Sequence, residues 1–124
     1  MEPISKSVVR KDHAPKITGT SIYVDDYANT GVLTGRFLRS KTARARIVSV
    51  TVPELPPGYF YVDKDDVPGV NKVHIVMDDT PVFAQDTVEY IGEPIAMVVG
   101  PDVRQVEAIL AGIRVEYEEL EPVL

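Results

Sequence analysis

Hydrophobic and polar positions are best ordered in the last third of the chain. Ile95 to Val99 is an unbroken apolar run, the pattern of a strand covered on both faces. Beyond it, Val103, Val106, Ile109 and Leu110 recur at helical spacing, while Arg104, Gln105 and Glu107 fall on the other side. Gly100-Pro101-Asp102 supplies a helix start, with proline early in the first turn and a carboxylate near the positive end of the helix dipole. Gly112 suits the C-terminal cap. Ile113, Val115 and Tyr117 then alternate with Arg114, Glu116 and Glu118, as in a half-buried strand. The order is β-α-β, and the crossover is right-handed if the two strands run parallel in one sheet.

Upstream, the pattern predicts shorter strands. One covers about Val32 to Arg39 and a second about Arg44 to Val52, with Val48, Val50 and Val52 on one face and Ile47, Ser49 and Thr51 on the other. Pro53, Pro56, Pro57 and Gly58 stop that strand, because proline cannot donate to a ladder. Tyr59 to Val62 forms a short strand, and Asp63 to Gly69 a turn or a single helical turn. Val73, Ile75 and Met77 mark another strand, broken at Asp78-Asp79-Thr80-Pro81. Residues 1–31 show little periodicity and read as an extended arm belonging to the domain formed by residues 32–124. Several short strands with one convincing helix indicate an α+β fold built on a mixed sheet, with the β-α-β unit at its C-terminal end.

Charge changes the picture more than composition does. Residues 1–62 carry nine Lys/Arg and five Asp/Glu, whereas residues 63–124 carry four and fourteen. Arg36, Arg39, Lys41, Arg44 and Arg46 fall in one short window. They form a candidate docking face, or they pair internally with the acidic segment Glu116, Glu118, Glu119 and Glu121. A nucleic-acid footprint is disfavoured by the net charge of −6 and by the lack of an aromatic stacking platform interleaved with the arginines. The length of 124 residues fits one domain. The sequence has no cysteine, so it offers neither disulfides nor ligands for a cysteine-bound iron–sulfur cluster. No apolar run approaches the roughly 20 residues of a membrane span, and no leader pattern stands at the start. The expected setting is cytoplasmic, without membrane partners.

Candidate chemistry is thin. Glu93, in Gly92-Glu93-Pro94, has the form of a general base. No second catalytic group lies near it in sequence, and a turn is favoured, with Gly92 at positive φ and Pro94 opening the buried strand. Asp63, Asp65 and Asp66 could gather a hard cation, but the EF-hand spacing fails at Pro68 and His74. Asp25-Asp26 and Asp78-Asp79 fit turns that bond nearby N–H groups. His13 and His74 match no metal-ligand spacing, and the chain has no G-x-S-x-G, G-x-G-x-x-G or Walker A pattern. No catalytic, cofactor-binding or metal residue is assigned.

Taken in order, several segments resemble a known family. Lys16-Ile-Thr-Gly19 within residues 10–23, Arg39-Ser40 and Ala43-Arg-Ala-Arg-Ile47, Asp65-Asp-Val-Pro-Gly69, Val88-Glu-Tyr-Ile-Gly-Glu-Pro-Ile-Ala96 and Val115-Glu-Tyr-Glu-Glu-Leu120 are similar to the opening of the molybdenum-binding large subunit of xanthine dehydrogenases and aldehyde oxidases. The resemblance implies an α/β-hammerhead domain that is itself non-catalytic. It also implies a parent that hydroxylates a purine or aldehyde carbon with oxygen from water. Molybdopterin-molybdenum would be bound by the segment that follows, with iron–sulfur clusters and FAD in other domains or subunits. The implied partners are the rest of the molybdenum-binding subunit and those iron–sulfur and flavin parts. By length, the chain resembles an excised domain or a truncated product of such a subunit. A different class remains as the alternative: a free-standing small binding module, or a lipoyl-like carrier presenting Lys64 at a turn between Asp63 and Asp65.

Overall fold

The computed structural model describes residues 7–27, 31–74 and 80–121. The chain divides into two compact units, residues 1–30 and 31–124. In the first, the extended arm expected from the sequence contains a short helix, α1 (His13–Ile17), and a single 3₁₀ turn at Val24–Asp26. Pro15 is compatible with α1 because it lies in the first turn, where backbone N–H groups have no intrahelical partner. Arg10 and Lys16 both pair with Asp12, each at 2.6 Å. Lys16, then Arg10, hold the Asp12 carboxyl below the usual carboxylate range. No residue of α1 is buried, so this unit rests on local hydrogen bonds and exposed ion pairs.

The second unit contains β1 (Thr34–Arg39), β2 (Ala45–Thr51), β3 (Phe60–Val62), β4 (Thr87–Val88), β5 (Pro94–Gly100), α2 (Val103–Gly112) and β6 (Arg114–Glu119). The strands form two three-stranded sheets, β1-β5-β3 and β4-β2-β6, and every described strand pair is antiparallel. The α+β class and the strand–helix–strand order follow the sequence. The single mixed sheet does not: β5 and β6 belong to different sheets, so α2 links sheets and spans no parallel pair. The reason is partner choice. The apolar run of β5 is taken up between β1 and β3, whereas β6 pairs with β2.

Bulges shift the faces of two strands. In β5 the ladder runs from Leu38↔Ala96 to Arg39↔Pro94, which leaves Ile95 as the extra residue and lets it join the core. In β2 the ladder passes from Ile47↔Tyr117 to Ser49↔Glu116 and skips Val48. The simple alternation expected for β2 therefore fails. Val48 is 59% exposed, while Ile47 and Val50 both pack on the core.

One core cluster is built on Ala45, Ala84, Val88 and Ile95, the other on Val98, Val106, Ile109 and Ile113. Leu38, Val50 and Val115 touch both and join them. Asp102 caps α2, its side chain accepting a hydrogen bond from the Arg104 N–H at 2.9 Å. Pro101 thus stands before the cap and not inside the first turn. Gly112 closes the helix in ordinary helical geometry and is absent from the positive-φ glycines. What it offers is room: a Cβ there would meet Pro53 Cγ at 3.4 Å. Gly100 is tighter, since a Cβ would come within 2.1 Å of the Tyr59 ring. The strand expected around Val73, Ile75 and Met77 falls mostly outside the described residues. Only a bridge between Val73 and Thr80 is seen there.

Candidate functional site

The turn before β5 is built from backbone inward. Gly92 has φ of 93°, which suits glycine and strains other residues. The Glu93 N–H donates to the Tyr90 carbonyl at 3.2 Å, and the Gly92 N–H donates to the Ser40 carbonyl at 2.9 Å. The Ser40 N–H in turn donates to the Glu93 carbonyl at 2.9 Å. Arg39 adds a guanidinium bond to the Gly92 carbonyl at 2.8 Å. Within this frame the Glu93 side chain is 4% exposed, and its Oε2 accepts the Glu89 N–H at 2.6 Å. The carboxylate therefore closes its own turn, in agreement with the reading of Gly92-Glu93-Pro94 as structure. Pro94 opens β5 without needing a donor, and its carbonyl accepts the Ala84 N–H at 2.8 Å.

The five cations of the candidate docking face do not share one environment. Arg36 lies on β1, 3.9 Å from Glu107 of α2. Arg39 sits over the Phe37 ring, 5.0 Å from its centroid, while bonding Gly92. Arg46 on β2 reaches Glu118 on β6 at 3.3 Å. Arg44 is half-buried: its guanidinium donates to the Glu121 carbonyl at 3.0 Å, and its Nε approaches Glu89 at 3.3 Å. That approach is an ion pair without hydrogen-bond alignment, because Nε is buried and unbonded. Only Lys41 of the five has neither an ion pair nor a hydrogen bond among the described residues. Of the acidic C-terminal segment, Glu118 pairs with Arg46, whereas Arg44 reaches that segment only at the Glu121 backbone carbonyl and has its carboxylate partner in Glu89.

Lys41 and Arg39 border a groove of about 460 Å³ formed where the end of β1, the end of α2 and β6 meet. Leu38, Leu110, Ile113 and Val115 give it apolar walls, and Arg114 adds a third cation. Sequence inspection missed this groove, because its walls come from two segments far apart in the chain, residues 38–41 and 110–117, and no local motif marks it.

The acidic turn is also explained locally. Asp63 Oδ1 accepts the Asp65 N–H at 2.9 Å, and Asp66 Oδ2 accepts the Asp63 N–H at 3.0 Å, capping a 3₁₀ turn over Lys64–Asp66. Lys64 lies inside that turn, 3.7 Å from Asp65, and not at a hairpin tip. Asp26 likewise accepts the Tyr23 N–H at 2.9 Å; Asp78-Asp79 lie outside the described residues. Burial, reinforced by Asp63 and Asp66, pushes the Tyr61 hydroxyl up to about 12. Asn71 was not foreseen at all. It is 8% exposed, donates to the Phe83 carbonyl at 2.7 Å and accepts the Phe83 N–H at 3.0 Å, clamping an irregular segment to the core. Among the described residues, no group of three or more His, Asp or Glu gathers to hold a metal. No helix among them is long and apolar enough to cross a membrane.

Known proteins share this arrangement. The family described as "Aldehyde oxidase and xanthine dehydrogenase, a/b hammerhead domain" matches residues 18–121. The chain is 41% identical over 118 residues to a probable xanthine dehydrogenase subunit of Bacillus subtilis (strain 168), covering 93% of this chain and 16% of that protein. It is 31% identical over 121 residues to the "Nicotinate dehydrogenase large molybdopterin subunit" of Eubacterium barkeri, covering 95% of this chain and 28% of the relative. Among solved structures, quinoline 2-oxidoreductase from Pseudomonas putida 86 superposes with a TM-score of 0.79 at 30% identity, over 95% of this chain and 16% of that one. The chain spans well under a third of each of these proteins. A family match over nearly the whole folded unit, on the two-sheet architecture described above, establishes that the chain belongs to the α/β-hammerhead domain family of aldehyde oxidases and xanthine dehydrogenases.

Proposed function

We propose that the chain is the non-catalytic structural domain of the molybdenum-binding subunit of a hydroxylase. The parent would replace a carbon–hydrogen bond of a purine or aldehyde by a bond to water-derived oxygen, releasing two protons and two electrons. Molybdopterin-molybdenum would supply that chemistry from the rest of the subunit, and iron–sulfur and FAD parts elsewhere would carry the electrons away. The cysteine-free sequence offers no thiolate to an iron–sulfur cluster. The proposed partners are those protein parts, with neither nucleic acid nor membrane, in a cytoplasmic setting. Residues 7–27 are proposed to belong to the same functional domain as the hammerhead.

The observation that carries this reading is the fate of Glu93. It is the one acid in a signature suggestive of chemistry, and it is buried and committed to the Glu89 N–H inside a turn. The basic window contributes subunit contacts through Lys41 and Arg39, whereas Arg44 and Arg46 mainly tie β2 to its neighbours. Elemental analysis and purine and aldehyde assays of the purified chain test the reading. The expected result is neither molybdenum nor iron and no turnover, with activity appearing only when the rest of the molybdenum-binding subunit and the iron–sulfur and FAD parts are supplied. Stoichiometric metal in the chain alone would overturn it.

A further inference from the structure

We infer that the groove between β1, α2 and β6 is a docking site for an extended peptide segment that alternates apolar and acidic side chains. On the function proposed above, that segment comes from the remainder of the molybdenum-binding subunit. The inference rests on that reading for the source of the segment and on the groove itself for its chemistry.

Three observations converge. The groove has a volume of about 460 Å³ and apolar walls at Leu38, Leu110 and Val115, room for a short run of apolar side chains. Its charge is lopsided. Arg39, Lys41 and Arg114 line it against the single carboxylate of Glu116, which is engaged by the Ser49 hydroxyl at 2.9 Å. The ion pairs among the described residues leave Lys41 and Arg114 out altogether. Two exposed cations beside an apolar wall favour a carboxylate flanked by apolar groups.

Both bordering strands are also sheet edges. Among the described residues β1 pairs only with β5, and β6 only with β2, so each turns a row of backbone groups away from its sheet. An extended segment can use those groups by strand addition, with affinity from the main chain and selectivity from alternate side chains. A second copy fits less well, because a symmetric contact would set the Lys41 and Arg114 cations against their own counterparts.

The test titrates the purified chain with an acetylated, amidated peptide of about eight residues alternating Val and Glu, with a Val/Lys peptide as control. Backbone amide NMR signals and fluorescence anisotropy are followed. The expected result is saturable binding with shifts concentrated at residues 38–41 and 110–117. Lys41→Glu combined with Arg114→Glu should weaken the acidic peptide roughly tenfold or more, while the wild-type chain should bind the Lys peptide weakly. Equal binding of both peptides, shifts centred on β3 or β4, or no saturation would overturn the inference. So would concentration-dependent self-association mapping to the groove. The control peptide needs no variant, so a misfolded double substitution does not hide the answer. Loss of peptide binding with metal-free, inactive chain still observed would refute the groove and leave the structural-domain proposal standing. Metal in the chain with peptide binding intact would do the reverse.

Discussion

The two compact units of this chain hold themselves together by different means. Residues 7–27 have α1 without a buried side chain, stapled by Arg10, Asp12 and Lys16 at the surface. Residues 31–121 carry two apolar clusters joined through Leu38, Val50 and Val115. Exposed ion pairs contribute about 0–1 kcal/mol each, whereas fully burying one large aliphatic side chain contributes about 1.5–3 kcal/mol. Cooperative stability should therefore belong to the second unit, with the first following local chemistry.

The sharpest way to break that comparison is a matched truncation. Ile109→Ala, at 5% exposure, should cost about 2–5 kcal/mol in urea unfolding, and Ile17→Ala, at 71% exposure, no more than about 0.5 kcal/mol. Comparable losses would mean that α1 shares the core's cooperativity.

Next in size is Gly100→Ala, whose Cβ would come within 2.1 Å of the Tyr59 ring. An aromatic ring cannot bend aside, so the expected loss is about 1–3 kcal/mol, and it should shrink when Tyr59 is also replaced by alanine. An additive double mutant would show that the crowding is not felt.

Glu93→Ala should cost about 1–3 kcal/mol by leaving the partly buried Glu89 N–H without its charged acceptor, and Glu93→Gln less, because an amide oxygen can still accept. If the glutamine variant were the worse of the two, the charge and not the acceptor would matter.

The smallest effects are opposite responses to pH. Tyr61 has a folded value of about 12, above its ordinary 10, so its contribution is present below pH 10 and is lost as pH rises towards 12. Asp12 is shifted down, so its contribution is present above the ordinary carboxylate range and is lost as pH falls through the folded value. Tyr61→Phe should flatten the alkaline slope of unfolding. Asp12→Asn should abolish the acid response of the α1 amide signals and leave the core's unchanged. A core response to Asp12→Asn would tie the two units together.

Much of the C-terminal third was legible because its information is local. The apolar run of β5, the helical spacing of α2 and the turn at Gly92 each depend on residues a few positions apart. The same locality misled the reading of β2, where one extra residue opposite β6 turned Val48 outward. It also left α1 unseen, since Pro15 in a short polar stretch looks like a breaker until its place in the first turn is known. Asn71 had no signal, because its partner is the backbone of Phe83 and carries no side-chain signature.

The sequence by itself determined the family, the α+β class, the strand–helix–strand order and the turn role of Glu93, all from short-range patterns and an ordered set of motifs. Tertiary structure alone decided that β5 and β6 enter separate sheets, because strand pairing is a choice among distant partners. It also decided which cations of the basic window are spent internally. Arg44 and Arg46 meet carboxyl-terminal groups more than 70 positions away, while Lys41, a few residues before them, is left facing a groove that only the folded chain creates.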